Sequence, residues 1–373
     1  MLRLVVPAVT VAIAVGVGTL APRAIAAQSP AQSPAQSPAQ SSAQSSAQSA
    51  MQSGAQRPAS ERLRGVVVTD TLWSQALGAN KSLVMYLPPS YGTAGARRYP
   101  VVLYLHGLHG DQTNWVARGR LDQVMDSLVA AGMPEMIVAM PDGDNSWYTT
   151  YNVLLDAAGC RRMLREGASP ERDCVPWPHY DDYIAYDVVR HVDGKYRTLP
   201  TAGRRAVAGL SMGGYGAFTL AFQYPATFSA AASHSGVLAP REFAPDPIGQ
   251  RLPHTPADSA TLARSIVSDA AMFRAVFGSD SASWAARDPV VLAARLRASG
   301  QPLPALYADT GTDDIFLAAN RVFRDAMTAQ RVPLAYHEWP GGHTWSYWRT
   351  HVGESLSWIA TKIAGPAAEP RQR

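Results

Sequence analysis

The order of apolar and polar positions from about residue 61 onward predicts strands that alternate with helices. Short, continuous apolar runs predict strands that are buried on both faces of a sheet. Apolar positions spaced three and four residues apart predict helices with one buried face. The predicted strands are Val66–Val68, Ser82–Leu87, Val101–Leu105, Met136–Met140, Arg205–Leu210, Phe228–Ala232, Leu303–Ala308 and Pro333–Trp339. The predicted helices are Leu121–Ala131, Asp181–Tyr196, Met212–Tyr224, Val290–Leu296, Ile315–Ala329 and Trp345–Ile363.

This alternation indicates one α/β domain, built as a doubly wound, mostly parallel sheet with helices on both faces. Two long stretches interrupt the alternation, Asp142–His179 and Val237–Asp269. Long irregular insertions in such folds usually lie over the carboxyl ends of the strands, where ligands bind. We therefore expect both stretches to form walls of a substrate site.

The first residues of the chain have the three parts of a secretory signal peptide. Arg3 supplies a positive start, residues 4–20 form an apolar run, and Ala24–Ala26 matches a small-residue cleavage site. An uncleaved membrane anchor is the alternative, but the apolar run is at the short end for a bilayer span and Pro22 follows it. We expect residues 1–26 to be removed, which predicts a secreted or periplasmic protein without stable membrane insertion.

Residues 27–58 repeat a unit related to Ala-Gln-Ser-Pro. The repeat has no aromatic residue and almost no charge, so it cannot bury a core, and a disordered, flexible linker is expected. The composition typical of a folded domain begins after the repeat. These shifts predict a folded domain over residues 59–365 and a flexible tail over residues 366–373.

Charge and cysteine content exclude some functions and suggest one covalent link. The formal net charge is +4 and the arginines are scattered, so no basic stripe indicates binding to nucleic acid. The two cysteines, Cys160 and Cys174, are close in sequence and are expected to pair in an oxidising compartment; two unpaired buried thiols are the alternative. No further Cys or His stands beside them at ligand spacing, so no metal site is expected.

The strongest chemical signal is the run Gly-Leu-Ser-Met-Gly-Gly that begins at Gly209. It follows a predicted strand and opens a predicted helix, which is the context of a nucleophile elbow. Glycines on either side of the serine let the strand and the helix approach each other closely. The helix N-terminus then places positive partial charge beside the reacting centre. We expect Ser211 to be a nucleophile.

A serine nucleophile needs a base, and the base needs an acid that orients it. In a nucleophile-elbow fold the chain order is Ser, then Asp or Glu, then His. His343 follows the last predicted strand in a Pro-Gly-Gly-His loop, whereas His337 lies within that strand and His351 within the last helix. His343 is therefore the expected base. Three acids follow the preceding strand, namely Asp309, Asp313 and Asp314, and spacing alone does not choose between Asp313 and Asp314.

An ester-cleaving serine also needs an oxyanion hole, which is a pair of backbone N–H groups that bind the oxygen of the tetrahedral intermediate. The first donor is expected from Met212, the residue after the nucleophile, and the second from Leu108, in the loop after the strand Val101–Leu105. His106 and His109 in that loop are expected to be ordinary satisfied or exposed histidines rather than metal ligands. The run Asp-Gly-Asp-Asn at Asp142 predicts a tight turn rather than a calcium loop.

These motifs together resemble the esterase family of α/β-hydrolases that includes esterase D, tributyrin esterases and feruloyl esterases. The similarity runs from about Ser82 to Trp358. It rests on HG-x-x-G at His106, PDGDNSWY at Pro141, GLSMGGYGAF at Gly209, GTDD at Gly311 and PGGHTWSYW at Pro340. The resemblance implies that the second acid of Gly-Thr-Asp-Asp, Asp314, completes the triad with Ser211 and His343. Relatives often have Asp directly after the catalytic His, where this chain has Thr344.

The resemblance implies hydrolysis of carboxylic esters through an acyl-enzyme, without metal or organic cofactor. The substrate is expected to be a small-molecule or carbohydrate-linked ester, such as a feruloyl, acetyl or short-chain acyl ester. Four aromatic residues are expected to line an aromatic subsite, although core positions are an equal alternative: Trp147, Tyr148, Trp345 and Trp348. Two other activities occur on this fold. They are acyl transfer of the mycolyltransferase type and thioester hydrolysis of the S-formylglutathione hydrolase type, and the signal peptide disfavours the second.

Overall fold

The computed structural model of the protein describes residues 64–151, 162, 178–242, 276–278 and 281–365. Its strands are β1 (Val66–Ser74), β2 (Ala79–Leu87), β3 (Val101–Leu105), β4 (Ile137–Pro141), β5 (Arg205–Leu210), β6 (Ala230–His234), β7 (Ala305–Gly311) and β8 (Ala335–Trp339). They form one eight-stranded sheet in the order β1-β2-β4-β3-β5-β6-β7-β8. β1 and β4 pair with β2 in antiparallel fashion, and every other pairing is parallel.

Helices cover both faces of the sheet, as the alternation predicts. Within the described residues they are α1 (Asn114–Ala117), α2 (Leu121–Ala130), α3 (Tyr180–Asp182), α4 (Val189–Lys195), α5 (Met212–Gln223), α6 (Ser281–Ala285), α7 (Pro289–Ala298), α8 (Leu317–Ala329) and α9 (Trp345–Ile363). Side chains of α5, α7 and α8 pack in one core, and those of α2 and α9 pack in the other. Together with the mostly parallel sheet, this arrangement is the α/β-hydrolase fold.

β3 shows why the central strands are apolar at every position. Val101 and Leu103 point into one core, while Val102 and Tyr104 point into the other. Successive side chains of a strand face opposite sides, and both sides of this sheet are covered. All five residues of β3 are therefore buried.

Several element boundaries differ from the predicted ones. The predicted helix Asp181–Tyr196 is divided into α3, a π-helical turn at Tyr183–Val188, and α4. Hydrophobic periodicity does not distinguish a π turn from an α turn over so short a stretch. α8 begins at Leu317 rather than Ile315, and β6 begins at Ala230 rather than Phe228. Such shifts occur at the ends of elements, where packing rather than the local sequence decides the boundary.

Some predicted features lie outside the described residues. They are the signal peptide, the repeat linker, the C-terminal tail, both cysteines, and most of the two insertions expected to form walls of the substrate site. Residues 1–26, 27–58 and 366–373, with the pair Cys160 and Cys174, therefore remain sequence predictions. The described residues belong to one unit, Arg57–Arg373. None of the helices in this described part is long and apolar enough to cross a bilayer.

Asp70 on β1 joins the edge of the sheet to the helical segment that follows the first insertion. Its carboxylate accepts hydrogen bonds from His191 Nε2 at 2.8 Å, Lys195 Nζ at 2.6 Å and the Tyr196 hydroxyl at 2.8 Å. Burial raises the pKa of Asp70, but the hydrogen bonds from Lys195, His191 and Tyr196 outweigh it and hold that pKa well below the usual range.

We expect Asp70→Asn to lower the free energy of unfolding at pH 7 by about 1–2 kcal/mol, because Lys195 is half exposed and water screens its charge. A depressed folded-state pKa adds stability above the unfolded-state value, about 3.9 for Asp, and loses it as pH falls toward the folded-state value. Urea unfolding of the wild type and Asp70→Asn should therefore show a difference in free energy of unfolding that is smaller at pH 3 than at pH 7. A difference of the same size at both pH values would contradict this account.

Candidate active site

Ser211 lies on the sharp turn between β5 and α5, with φ of 53° and ψ of −118°. A non-glycine residue with positive φ is strained, and such strain is held in place by the surrounding packing. That packing needs the glycines of the motif. A Cβ on Gly213 would lie 2.5 Å from the Leu105 carbonyl oxygen, and a Cβ on Gly209 would lie 2.5 Å from the Gly213 carbonyl oxygen. Only glycine at these positions lets β5 and α5 meet tightly enough to present the serine.

The loops after β7 and β8 are held together by backbone hydrogen bonds. Thr312 N donates to the Trp339 carbonyl at 2.8 Å, and Asp313 N donates to the Gly341 carbonyl at 2.8 Å. A side chain on Gly311 would overlap the Gly341 carbonyl, so this close approach also needs a glycine. The acid-bearing loop and the histidine-bearing loop therefore form one rigid unit at the carboxyl end of the sheet.

The structure brings Ser211, His343 and Asp314 into one chain of hydrogen bonds. His343 Nε2 lies 2.9 Å from Ser211 Oγ. His343 Nδ1 lies 3.2 Å and 3.1 Å from the two carboxylate oxygens of Asp314. The Asp314 side chain is fully buried, and the Phe316 N–H donates to it at 2.8 Å. Asp314 accepts from the Nδ1–H, so Nε2 is free to take a proton from the hydroxyl.

The other two acids of the stretch lie elsewhere. Asp313 is exposed, and α8 begins too late for Asp313 to cap it. Asp309 is fully buried inside β7, where its Oδ2 lies 2.7 Å from His234 Nδ1 and its Oδ1 accepts from the Tyr347 hydroxyl at 3.1 Å. Burial and the nearby Asp309 charge raise the pKa of Tyr347, so its hydroxyl stays protonated as the donor. The geometry favours Asp314, as the resemblance implies.

The residues predicted to supply the oxyanion donors, Met212 and Leu108, belong to two segments that meet at Ser211. Met212 is the first residue of α5, where a helix has N–H groups without intrahelical acceptors. Leu108 follows Gly107, and a Cβ on Gly107 would lie only 3.4 Å from Ser211 Cβ. Among the hydrogen bonds of the described residues, neither the Leu108 N–H nor the Met212 N–H has an acceptor. Their role as donors to an oxyanion stays a prediction.

A family model described as "Putative esterase" matches residues 74–359. The chain belongs to this esterase family. A search of curated proteins finds "Esterase Rv1288" of Mycobacterium tuberculosis, 28% identical over 312 residues, which cover 79% of this chain and 60% of that protein. The family match extends over the described sheet from the last residue of β1 onward. The chain spans about 60% of the length of this Mycobacterium tuberculosis relative.

Two further relatives carry more specific names. An acetyl esterase of Caldicellulosiruptor saccharolyticus is 22% identical over 256 residues, which cover 69% of this chain and 81% of that protein. The structure of a ferulic acid esterase is 26% identical and has a TM-score of 0.54; the match covers 80% of this chain and 99% of that one. Both are proteins to which this esterase-family member is similar.

Aromatic rings surround the His343 imidazole. The rings of Phe316 and Trp348 each lie 4.9 Å from that of His343, at angles near perpendicular. Trp348 Nε1 donates to Ser235 Oγ at 3.1 Å, and Trp345 packs edge-on against Trp348. Trp348 was expected to line the aromatic subsite, but its contact with the imidazole and that of Phe316 were not predicted. Trp348 follows His343 by just over one helical turn, and this spacing could have predicted the contact between their rings.

The other three predicted substrate contacts have different environments. Trp345 is partly exposed beside Trp348 and Trp115. Trp147 is buried and packs edge-on against Tyr215 and Phe277. Tyr148 has no exposed surface, and its hydroxyl donates to the His106 carbonyl at 3.1 Å. Trp345 is the one of the three with surface at the site, and substrate contacts for Trp147 and Tyr148 remain a prediction.

No group of three or more His, Cys, Asp or Glu suited to a metal ion occurs in the part of the chain that the structure describes. The Asp-Gly-Asp-Asn run at Asp142 forms a turn, and its Asp142 and Asp144 carboxylates contact Lys81 Nζ at 3.1 Å and 2.5 Å. This buried lysine was missed by the sequence analysis. It stands on β2, about sixty residues from both acids, so no local pattern linked it to the turn.

Proposed function

We propose that the protein is an exported serine esterase that cleaves carboxylic esters by a two-step acyl transfer. The proposal rests on one observation, the continuous hydrogen-bonded chain from Ser211 Oγ through His343 to Asp314. A hydroxyl, an imidazole and a buried carboxylate in this order are the parts that activate a serine for attack on a carbonyl carbon.

In the first step His343 Nε2 takes the proton of Ser211 Oγ while the oxygen attacks the ester carbonyl carbon. The carbonyl oxygen becomes an oxyanion and accepts hydrogen bonds from the Leu108 and Met212 N–H groups. Asp314 stabilises the imidazolium. The intermediate then collapses, the bond to the alcohol oxygen breaks, and His343 gives its proton to the departing alcohol. An acyl group remains on Ser211.

In the second step a water molecule replaces the alcohol. His343 takes one proton from the water as its oxygen attacks the acyl carbon, and the oxyanion again lies between the two backbone N–H groups. Collapse of this intermediate breaks the bond to Ser211 Oγ, which recovers its proton from His343. The products are one carboxylic acid and one alcohol, and the chain's own groups supply every proton transfer.

We propose acetyl or feruloyl esters linked to carbohydrate as the substrate class. The partly exposed Trp345 ring offers an apolar, planar surface of the kind on which sugar or aromatic acyl rings stack. Similarity to an acetyl esterase and to a ferulic acid esterase supports the same class. The signal-peptide features of residues 1–26 support export, which would bring the protein to polysaccharide esters outside the cytoplasm.

The experiment that tests this proposal is a panel of esters given to the purified, processed protein. We expect hydrolysis of p-nitrophenyl acetate and higher kcat/KM for methyl ferulate or acetylated xylan than for tributyrin. Faster turnover of S-formylglutathione than of every oxygen ester would indicate a thioesterase instead. Acyl transfer to an added sugar or lipid alcohol that exceeds hydrolysis would indicate an acyltransferase. No turnover of any ester would reject the proposal.

A further inference from the structure

Three consecutive carbonyl groups beside the nucleophile each accept a hydrogen bond from a side chain. Trp115 Nε1 donates to the Leu105 carbonyl at 2.9 Å, and the Tyr148 hydroxyl donates to the His106 carbonyl at 3.1 Å. His106 Nδ1 lies 2.8 Å from the Gly107 carbonyl oxygen. An oxyanion site must present N–H groups and keep carbonyl oxygens away, because both oxygens carry negative charge. Each of these three carbonyl oxygens instead points toward its own side-chain donor.

The hydrogen bond at the second ring nitrogen, Nε2, determines the tautomer of His106. The Gly143 N–H donates to His106 Nε2 at 2.9 Å, whereas Asp142 Oδ1 lies beyond hydrogen-bond distance of that nitrogen, at 3.6 Å, so Nε2 acts as an acceptor. In a neutral imidazole the proton is then on Nδ1, which donates it to the Gly107 carbonyl. His106 is 1% exposed, so water does not compete for either contact. The imidazole therefore links the loop after β4 to the loop after β3 through one acceptor and one donor contact.

The contact at the Gly107 carbonyl also determines where the Leu108 N–H points. These two groups belong to the same peptide unit, which is planar and trans, so the C=O and the N–H point in opposite directions. The Gly110 N–H donates to the same carbonyl at 3.0 Å, from within the loop. Fixing the Gly107 carbonyl oxygen on the side of His106 thus fixes the Leu108 N–H on the side away from it.

The Gly143 donor is itself held by a buried ionic cluster. Lys81 contacts the carboxylates on either side of Gly143, and the Asp144 N–H donates to Asp142 Oδ1 at 3.2 Å. The Tyr180 hydroxyl donates to Asp144. Lys81 is 5% exposed and Asp144 is 4% exposed. Charges so well buried are costly to move apart, so the turn that presents the Gly143 N–H is rigid.

We infer that His106 is a positioning residue of the oxyanion site, whose Nδ1–H tautomer holds the Gly107–Leu108 peptide with the Leu108 N–H aimed at the oxyanion. Gly143 selects the tautomer, and Tyr148 fixes the preceding peptide. This inference rests on the proposed serine esterase function. It assigns a purpose to a buried histidine that touches neither the substrate nor the triad.

Two substitutions of His106 test the roles of its two ring nitrogens one at a time. In His106→Asn the amide nitrogen replaces Nδ1 and keeps a donor for the Gly107 carbonyl. In His106→Gln the amide reaches the position of Nε2 and the donor at Nδ1 is lost. We expect His106→Gln to lower kcat by about 100-fold, toward the loss seen when an oxyanion donor is removed, with little change in KM. We expect His106→Asn to lower kcat by less than about 10-fold, and Tyr148→Phe to lie between them.

The second measurement is the affinity for a trifluoromethyl ketone substrate analogue. A residue with a purely structural role would not change this affinity in step with kcat. Its adduct with Ser211 has an oxyanion, so its affinity should fall by the same factor as kcat in each variant. His109→Asn is the matched control, because His109 stands in the same loop at φ of 61°, which Asn tolerates. Wild-type kcat and inhibitor affinity in His106→Gln, or equal losses in the Asn and Gln variants, would overturn the inference.

The tautomer is also measurable without any substitution. Nitrogen-15 NMR of the full protein should show the His106 ring with a protonated Nδ1 and an unprotonated Nε2 at neutral pH. A protonated Nε2 would overturn the inference even if neither variant folds. Failure of the proposed function is distinguishable, because wild-type protein that cleaves no ester rejects the esterase while leaving the tautomer measurement unaffected.

Discussion

Replacing Ser211 by Ala should lower kcat for ester hydrolysis by about a millionfold, as loss of a triad nucleophile does. In the proposed mechanism the Ser211 hydroxyl is the group that attacks, and no other described hydroxyl lies within hydrogen-bond distance of His343. Substrate binding does not need the nucleophile, so KM for any residual turnover should change little. The measurement is the initial rate of p-nitrophenyl acetate hydrolysis at substrate concentrations that span KM.

Ser229→Ala is the control for this experiment, because Ser229 immediately precedes β6, at the opposite end of the sheet from His343. Its variant should keep wild-type kcat. Circular dichroism should show that both variants fold, since Ala accepts the Ser211 backbone conformation at a strain similar to that of Ser. Undiminished hydrolysis by Ser211→Ala would place the nucleophile elsewhere and reject the mechanism.

Asp314→Asn should give the second largest loss, about ten-thousandfold in kcat, because an amide no longer selects the Nδ1–H tautomer or stabilises the imidazolium. The neighbouring Asp313→Asn is a matched substitution of the same chemistry one residue away. Asp313 is exposed, and its link to the histidine loop uses its backbone N–H, which the substitution retains. We expect Asp313→Asn to keep kcat within about threefold of wild type, as surface substitutions away from special contacts usually have small effects.

The two variants also decide between the two acids that spacing left open. A large loss in Asp313→Asn with a small one in Asp314→Asn would show that the assignment is reversed. Comparable small losses in both would mean that the imidazole is oriented by another group. Thermal unfolding of each variant separates a loss of catalysis from a loss of folded protein.

The sheet and most helices were predictable because their apolar patterns are local. A strand such as β3 is apolar at every position since both faces of the sheet are covered, and that rule can be applied without coordinates. The turn that presents Ser211 was predictable for a similar reason. The glycines around Ser211 record close backbone contacts within a few residues of it, so the strand–turn–helix signature is contained in the sequence.

The acid could not be chosen from spacing because the choice depends on contacts between distant segments. Asp309 was a competitor, yet β7 continues through it to Gly311, and its partners His234 and Tyr347 come from β6 and α9. Asp314 lies beyond the strand, where the loop after β8 brings His343 to it. The family resemblance supplied this three-dimensional information indirectly.

The environment of the oxyanion loop was likewise beyond the sequence. From the sequence, His106 was expected to be an ordinary satisfied or exposed histidine, and Tyr148 was expected to line the substrate site. The structure shows His106 joined to Gly143, and Tyr148 joined to the His106 carbonyl, across separations of about forty residues. Tyr148 also has positive φ, at 51°, which no local propensity predicts for an aromatic residue.

The central claim is that Ser211 carries the acyl group between the two steps, and mass spectrometry of acid-quenched enzyme tests it most directly. Wild-type protein is mixed with p-nitrophenyl acetate, quenched during the first turnover and digested. The account predicts one added acetyl group on the peptide that contains Ser211, and none after Ser211→Ala. Hydrolysis that proceeds with that peptide unmodified, or with the acetyl group on another residue, would contradict it.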